Sequence, residues 1–122
     1  MTRVFADTVY WIATVRPNDP WAASAHRARQ LLGAAGLITT DEVLTEFLTA
    51  LAGGGEHSRE QAAKMVRVIM AHPGVEVVPQ SRDSFLRGLA LYEARGDKDY
   101  SMTDCISMER MRERSISAVL TK

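Results

Sequence analysis

A chain of 122 residues with 46% apolar and 25% charged side chains makes one globular domain; it is too short for two and has no biased tract of the kind that stays disordered. Its 15 basic and 15 acidic side chains cancel, which excludes a protein held on nucleic acid by bulk charge alone. No apolar stretch is long enough to span a bilayer, no basic segment leads into an apolar one at the start, and the single cysteine, Cys105, has no partner for an internal disulfide, so a reducing, cytoplasmic setting is expected.

Val4 to Ala6 form a short apolar run that delivers one acid, Asp7, followed at once by Thr8. Thr8 to Val15 read as a short helix or turn, broken by Arg16-Pro17-Asn18-Asp19-Pro20. Asp19 then reads as a cap with Pro20 at the first helical position, and Trp21, Ala25, Ala28 and Leu32 mark one face of a helix running to about Gly33. Leu37 and Ile38 supply the second strand. Thr39 and Glu42 fit a capping box that starts a helix carrying Glu46, on which Val43, Leu44, Phe47, Leu48, Ala50 and Leu51 fill one arc with Glu46 at its edge.

Gly53 to Gly55 read as a turn. They follow a helix and have no Lys-Ser or Lys-Thr behind them, which excludes a phosphate-binding loop. Ser58 and Gln61 offer a further capping box, and Ala62, Met65, Val66 and Ile69 an apolar stripe. His72-Pro73-Gly74 is a turn, Val75, Val77 and Val78 the third strand, and Ser81 the cap of a helix whose buried face is expected to hold Phe85, Leu86, Leu89 and Tyr92. His26, His57 and His72 stand singly, without the second ligand that a metal site needs, and read as surface residues. Arg82, Arg87, Arg95, Arg110, Arg112 and Arg114 read first as solvated helix faces.

In the segment from Asp97 to Arg114, Ser101 and Asp104 have capping-box spacing, which is the structural explanation for Asp104. Against it, Asp104, Met108 and Met111 at i, i+4 and i+7 align the carboxylate with an apolar face, where an ionised acid is costly unless it is paired or binds a cation. Cys105, beside that face, reads as a small buried apolar residue in preference to a nucleophile. Ser117 to Leu120 form the last strand.

Strands alternating with helices imply a parallel sheet with helices on both faces, a three-layer α/β/α sandwich of the Rossmann-like type. Such a fold brings Asp7, Glu46 and Asp104 toward the carboxyl edge of the sheet, where ligands bind. Three carboxylates gathered there repel one another. A divalent cation removes the conflict, and all-oxygen ligands favour magnesium or manganese, whose chemistry suits phosphodiester hydrolysis.

The segments VFADTVYWIA, TTDEVLTEFLTAL and, most specifically, DKDYSMTDCISMERMRER followed by ISAVLT resemble the PIN domain, in particular the VapC-like toxin ribonucleases, over essentially the whole chain. The resemblance implies a PIN-like fold and a magnesium-dependent (or manganese-dependent) endoribonuclease, the toxin of a toxin–antitoxin pair. It makes Asp7, Glu46 and Asp104 the metal-binding acids, Thr8 and Thr103 polar neighbours of the site, and Asp99 an accessory catalytic acid. Asp7 and Asp104 would hold one Mg²⁺ directly and Glu46 through water or with a second ion, leaving a 5′-phosphate and a 3′-hydroxyl. The implied partners are single-stranded or looped RNA, a small cognate antitoxin and a second copy of the chain. Trp11, Trp21 and Tyr100 are able to stack on bases, with core packing as their first use. The family continues after a segment like Val119-Leu120-Thr121 with a further Asp and a strand, and this sequence ends at Lys122, as a lost C-terminal tail would leave it.

Three other classes compete. A phosphatase of the haloacid-dehalogenase type needs a second Asp two residues after the first, where this chain has Val9. A receiver domain needs paired acids before its first strand end and a Lys after a later strand, a poor match. A non-catalytic binding module of the same fold is the serious alternative, favoured by zero net charge and the missing fourth acid.

Overall fold

The computed structural model describes residues 3–16 and 36–120. In chain order the elements are β1 (Arg3–Ala6), α1 (Thr8–Val15), β2 (Gly36–Thr40), α2 (Asp41–Ala52), α3 (Glu56–Ala71), β3 (Val75–Val78), α4 (Arg82–Ala94), α5 (Met102–Glu113) and β4 (Val119–Leu120). The helix expected from Pro20 to about Gly33, with Trp21 and His26, lies outside the described residues.

The strands form one parallel sheet in the order β3-β2-β1-β4, with Val4 opposite Leu37, Leu37 opposite Val75, and Phe5 opposite Val119. Val4, Phe5 and Ala6 in β1 and Leu37, Ile38, Thr39 and Thr40 in β2 are all buried, the continuous run typical of strands covered on both faces. Together with Trp11, Val43, Phe47 and Ile69 they make the core of an α/β sandwich. Because all strands run one way, their carboxyl ends share an edge. From β1 the neighbours diverge, β2 to one side and β4 to the other, so a crevice opens at the end of β1, where Asp7 stands.

Several local expectations shift. The strand β2 runs two residues further than Leu37-Ile38, and Thr40 caps α2 in place of Thr39, its side chain accepting from the Val43 N–H at 3.1 Å. Thr39 is buried instead: its hydroxyl donates to the Ala6 carbonyl at 2.9 Å and accepts from the Trp11 indole N–H at 3.2 Å, tying α1, β1 and β2 together. On α2, Leu48 and Ala50 are exposed, so the buried arc narrows to Val43, Leu44, Phe47 and Leu51. Ser58 caps nothing. Helix α3 begins three residues earlier, at Glu56, behind Gly55, whose φ of 92° suits glycine, and the Ser58 hydroxyl donates to Leu51 O at 2.9 Å.

The largest correction concerns α4. Phe85, Leu86, Leu89 and Tyr92 are exposed, at 42%, 52%, 37% and 52%, and the residues this helix buries are Ser84 and Gly88. The reason is close approach to α5: a Cβ at position 88 would stand 2.5 Å from Ile106 Cγ1 and 3.3 Å from the Ile106 backbone. The helix pair is fitted through its smallest residues, and the apolar stripe turns outward.

Candidate active site at the carboxyl edge

Asp7 is the N-cap of α1 and accepts a hydrogen bond from the Thr8 N–H at 2.8 Å. Burial raises its pKa above the ordinary value. The Thr8 N–H opposes that rise, and the charges of Asp104 and then Glu46 add to it. Asp104 and Glu46 therefore both lie within electrostatic reach of Asp7.

Glu46 projects from the second turn of α2 and accepts the Thr8 hydroxyl at 2.7 Å, so Thr8 contacts both Asp7, through its backbone, and Glu46, through its side chain. Asp104 sits in the first turn of α5 and forms the capping box that the Ser-x-x-Asp spacing offers: its carboxylate accepts from the Ser101 N–H at 3.0 Å, and Ser101 Oγ accepts from the Asp104 N–H at 3.0 Å. Alignment with Met108 and Met111 does not exclude capping, contrary to expectation, because Asp104 does both. It caps α5 and lines a cavity of about 220 Å³ with Asp7, Tyr100, Ser107, Met108 and Met111.

Asp99 is not brought to that cavity. It is exposed, on a neighbouring hollow with Tyr92, Arg95 and Lys98. Thr103 faces a wider cleft of about 620 Å³ with Glu42, Gln80, Ser81 and Arg82, on the same edge of the sheet. Cys105 is fully buried, and burial first, then the charges of Asp104 and Glu109, pushes its thiol pKa up, the opposite of a nucleophile's environment. Trp11 is used in the core. Five of the six noted arginines are in ion pairs: Arg87 with Asp83 and Glu113, Arg95 with Asp97, Arg110 with Glu113, Arg112 with Glu109 and Arg114 with Glu76. The sixth, Arg82, lies 5.7 Å from the centre of the Phe85 ring.

Among the described residues no three His, Cys, Asp or Glu side chains converge as a ready metal cage. The donor chemistry nonetheless fits a hard divalent cation: the acids offer oxygen only, and Asp7 is both desolvated and crowded by like charge, a state that a cation relieves. Two features escaped sequence reasoning. The Thr8–Glu46 link joins residues 38 apart, and Ser107 is a buried hydroxyl one turn after Asp104, where a small residue on an apolar face gives no signal.

A parallel α/β sheet with acids gathered at its switch point defines the broad class. The sequence of residues 4–122 matches the model of the PIN domain, and the chain belongs to that family. Its fold is similar to that of Mycobacterium tuberculosis VapC20, described as a Sarcin-Ricin loop cleaving toxin, with a TM-score of 0.86 and 21% identity over 98% of this chain and 88% of the other. No curated protein sequence matches.

Proposed function

We propose that the chain is a metal-dependent endoribonuclease and the toxin of a toxin–antitoxin pair. The observation that carries this reading is the convergence of Asp7 and Asp104 on one cavity at the carboxyl edge, with Glu46 held beside it through Thr8. Family membership and the fold it shares with a Sarcin-Ricin loop cleaving toxin support the same reading.

PIN-domain nucleases generally use divalent metal ions; here Asp7 and Asp104 would hold one, Mg²⁺ or Mn²⁺, with Glu46 assisting. When bound, the ion supplies charge neutralisation for the phosphoryl oxygens and an activated water. The residues of the chain set the stage for it. Thr8 fixes the carboxylate of Glu46, the Ser101 N–H fixes that of Asp104, and the cap at Asp7 holds the third acid at the start of α1. The cleft beyond Thr103, with Arg82 and Gln80 on its wall, suits a flanking stretch of single-stranded RNA backbone. Asp99, outside the cavity, takes no direct part in this scheme.

The protein acts in the cytoplasm and pairs with a small antitoxin. Among the described residues no helix is long and apolar enough to cross a membrane. The exposed stripe of Phe85, Leu86, Leu89 and Tyr92 supports self-association as a homodimer. The non-catalytic alternative has no observation of the site behind it, whereas the convergence of Asp7 and Asp104 on one cavity favours the enzyme.

The test is cleavage of structured and single-stranded RNAs with Mg²⁺ and with EDTA. Cleavage that needs metal and falls by about 100-fold or more in Asp104→Asn, the scale of several kcal/mol of lost charge stabilisation, is expected. Cleavage that survives EDTA or the substitution contradicts the reading.

A further inference from the structure

The cavity beside Asp7 and Asp104 holds more than acids. Beyond them its wall is apolar, made by Phe5, Met108, Met111 and Val119, with the half-buried Tyr100 among its lining residues. In this wall stands Ser107, 6% exposed, whose hydroxyl oxygen is buried and has no hydrogen-bond partner among the described residues. A buried hydroxyl left unpaired is uncommon and costs free energy, which a ligand group able to pair with it would recover.

Apolar walls alone suggest packing or a void, and acids alone suggest a cation. The combination of the two with a single unpaired hydroxyl matches a flat, largely apolar ligand that carries hydrogen-bonding groups at its rim. A nucleobase has that chemistry, and the position is one nucleotide's reach from the carboxylates that would act on a phosphodiester. The volume agrees: an apolar cavity of roughly 150 Å³ accepts benzene, and this one, at about 220 Å³, has room for a heterocycle of nucleobase size.

We propose that this cavity is a nucleobase pocket that receives one base of the RNA next to the scissile phosphate, with Ser107 as the residue that reads its edge and Met108 and Met111 as its apolar walls. The proposal rests on the ribonuclease reading. Methionine walls adapt to a flat ring, and a serine hydroxyl both donates and accepts, so it pairs with an amide-like edge in either sense. Because the site leaves a polar group unpaired when empty, it discriminates bases by which edge satisfies that group.

Binding is tested apart from catalysis. In the full chain labelled at its methionine methyls, uridine, cytidine, adenosine and guanosine are titrated separately, in the presence and absence of Mg²⁺. Uncharged nucleosides avoid repulsion by the acids. Saturable shifts of the Met108 and Met111 signals by at least one nucleoside, and their loss when Ser107→Leu fills the pocket, are expected. No shift of these two methyls with any nucleoside overturns the proposal, whatever RNA cleavage shows, and so do shifts that Ser107→Leu leaves intact. With RNA, Ser107→Leu raises KM by roughly ten-fold, the scale of one lost base contact, and flattens the preference for the base beside the cut. An unchanged KM and preference in a folded variant also overturns it. Absence of cleavage by the unaltered chain, with the nucleoside shifts present, counts against the ribonuclease reading and leaves the pocket standing.

Discussion

The half of the molecule built on β1, α1, β2 and α2 and the half built on α4 and α5 solve the same packing problem in opposite ways. In the first, large apolar residues point inward: Val4, Phe5, Ile38, Val43 and Phe47 are each at most 1% exposed. In the second, α4 meets α5 through Ser84 and Gly88 and leaves Phe85, Leu86, Leu89 and Tyr92 in solvent. The α5 surface near this pair is further held by ion pairs, Arg87 with Glu113 and Arg110 with Glu113. Exposed pairs of that kind add little stability, so close backbone approach is what fixes α4. An apolar stripe on a helix therefore identifies a face that needs covering without saying that the same chain covers it.

Substitutions test this contrast from its strong side to its weak one. Phe47→Ala empties the first half's core and should cost about 3–5 kcal/mol in urea unfolding. Gly88→Val forces α4 off Ile106 and should cost about 1–3 kcal/mol or more, since overpacking at a backbone contact has little room to relax. Leu86→Ser should change the stability of the isolated chain by no more than about 0.5 kcal/mol, while weakening self-association in sedimentation. A large loss of monomer stability in Leu86→Ser would erase the contrast between the halves.

Asp7 supplies a prediction of opposite sign. Its pKa is raised in the folded protein, first by burial and then by Asp104 and Glu46, so the fold favours the protonated form. The associated stability is fully present below the ordinary carboxylate pKa and is lost as pH rises through the folded value. Asp7→Asn retains a capping oxygen for the Thr8 N–H and removes the charge. It should melt at a higher temperature than the natural chain at pH 7, with the gap closing as the pH falls toward the acid limb. A variant that melts lower at pH 7 would mean that the cap outweighs the repulsion.

Where the residues of the candidate site would lie was legible in the sequence because it depends on topology. A strand ending in Asp7, a helix carrying Glu46 after the second strand, and Asp104 in the first turn of α5 all lie at the carboxyl edge once the strands are parallel. What stayed hidden depends on pairwise fit. Thr39 has the capping-box spacing with Glu42, yet the cap falls to Thr40 because Thr39 is taken by Ala6 and Trp11. The outward turn of α4 depends on Gly88 meeting Ile106, residues 18 apart, and no periodicity announces that. Asp99 and Asp104 look alike in composition; only the start of α5 between them separates the exposed acid from the one at the cavity.

If Asp7, Glu46 and Asp104 form a site for a divalent cation, calorimetric titration of Mn²⁺ into the natural chain and into Asp7→Asn will separate the two proteins. Saturable binding by the natural chain that is lost in Asp7→Asn is the predicted result. Equal binding by both, or none by a folded natural chain, would contradict it.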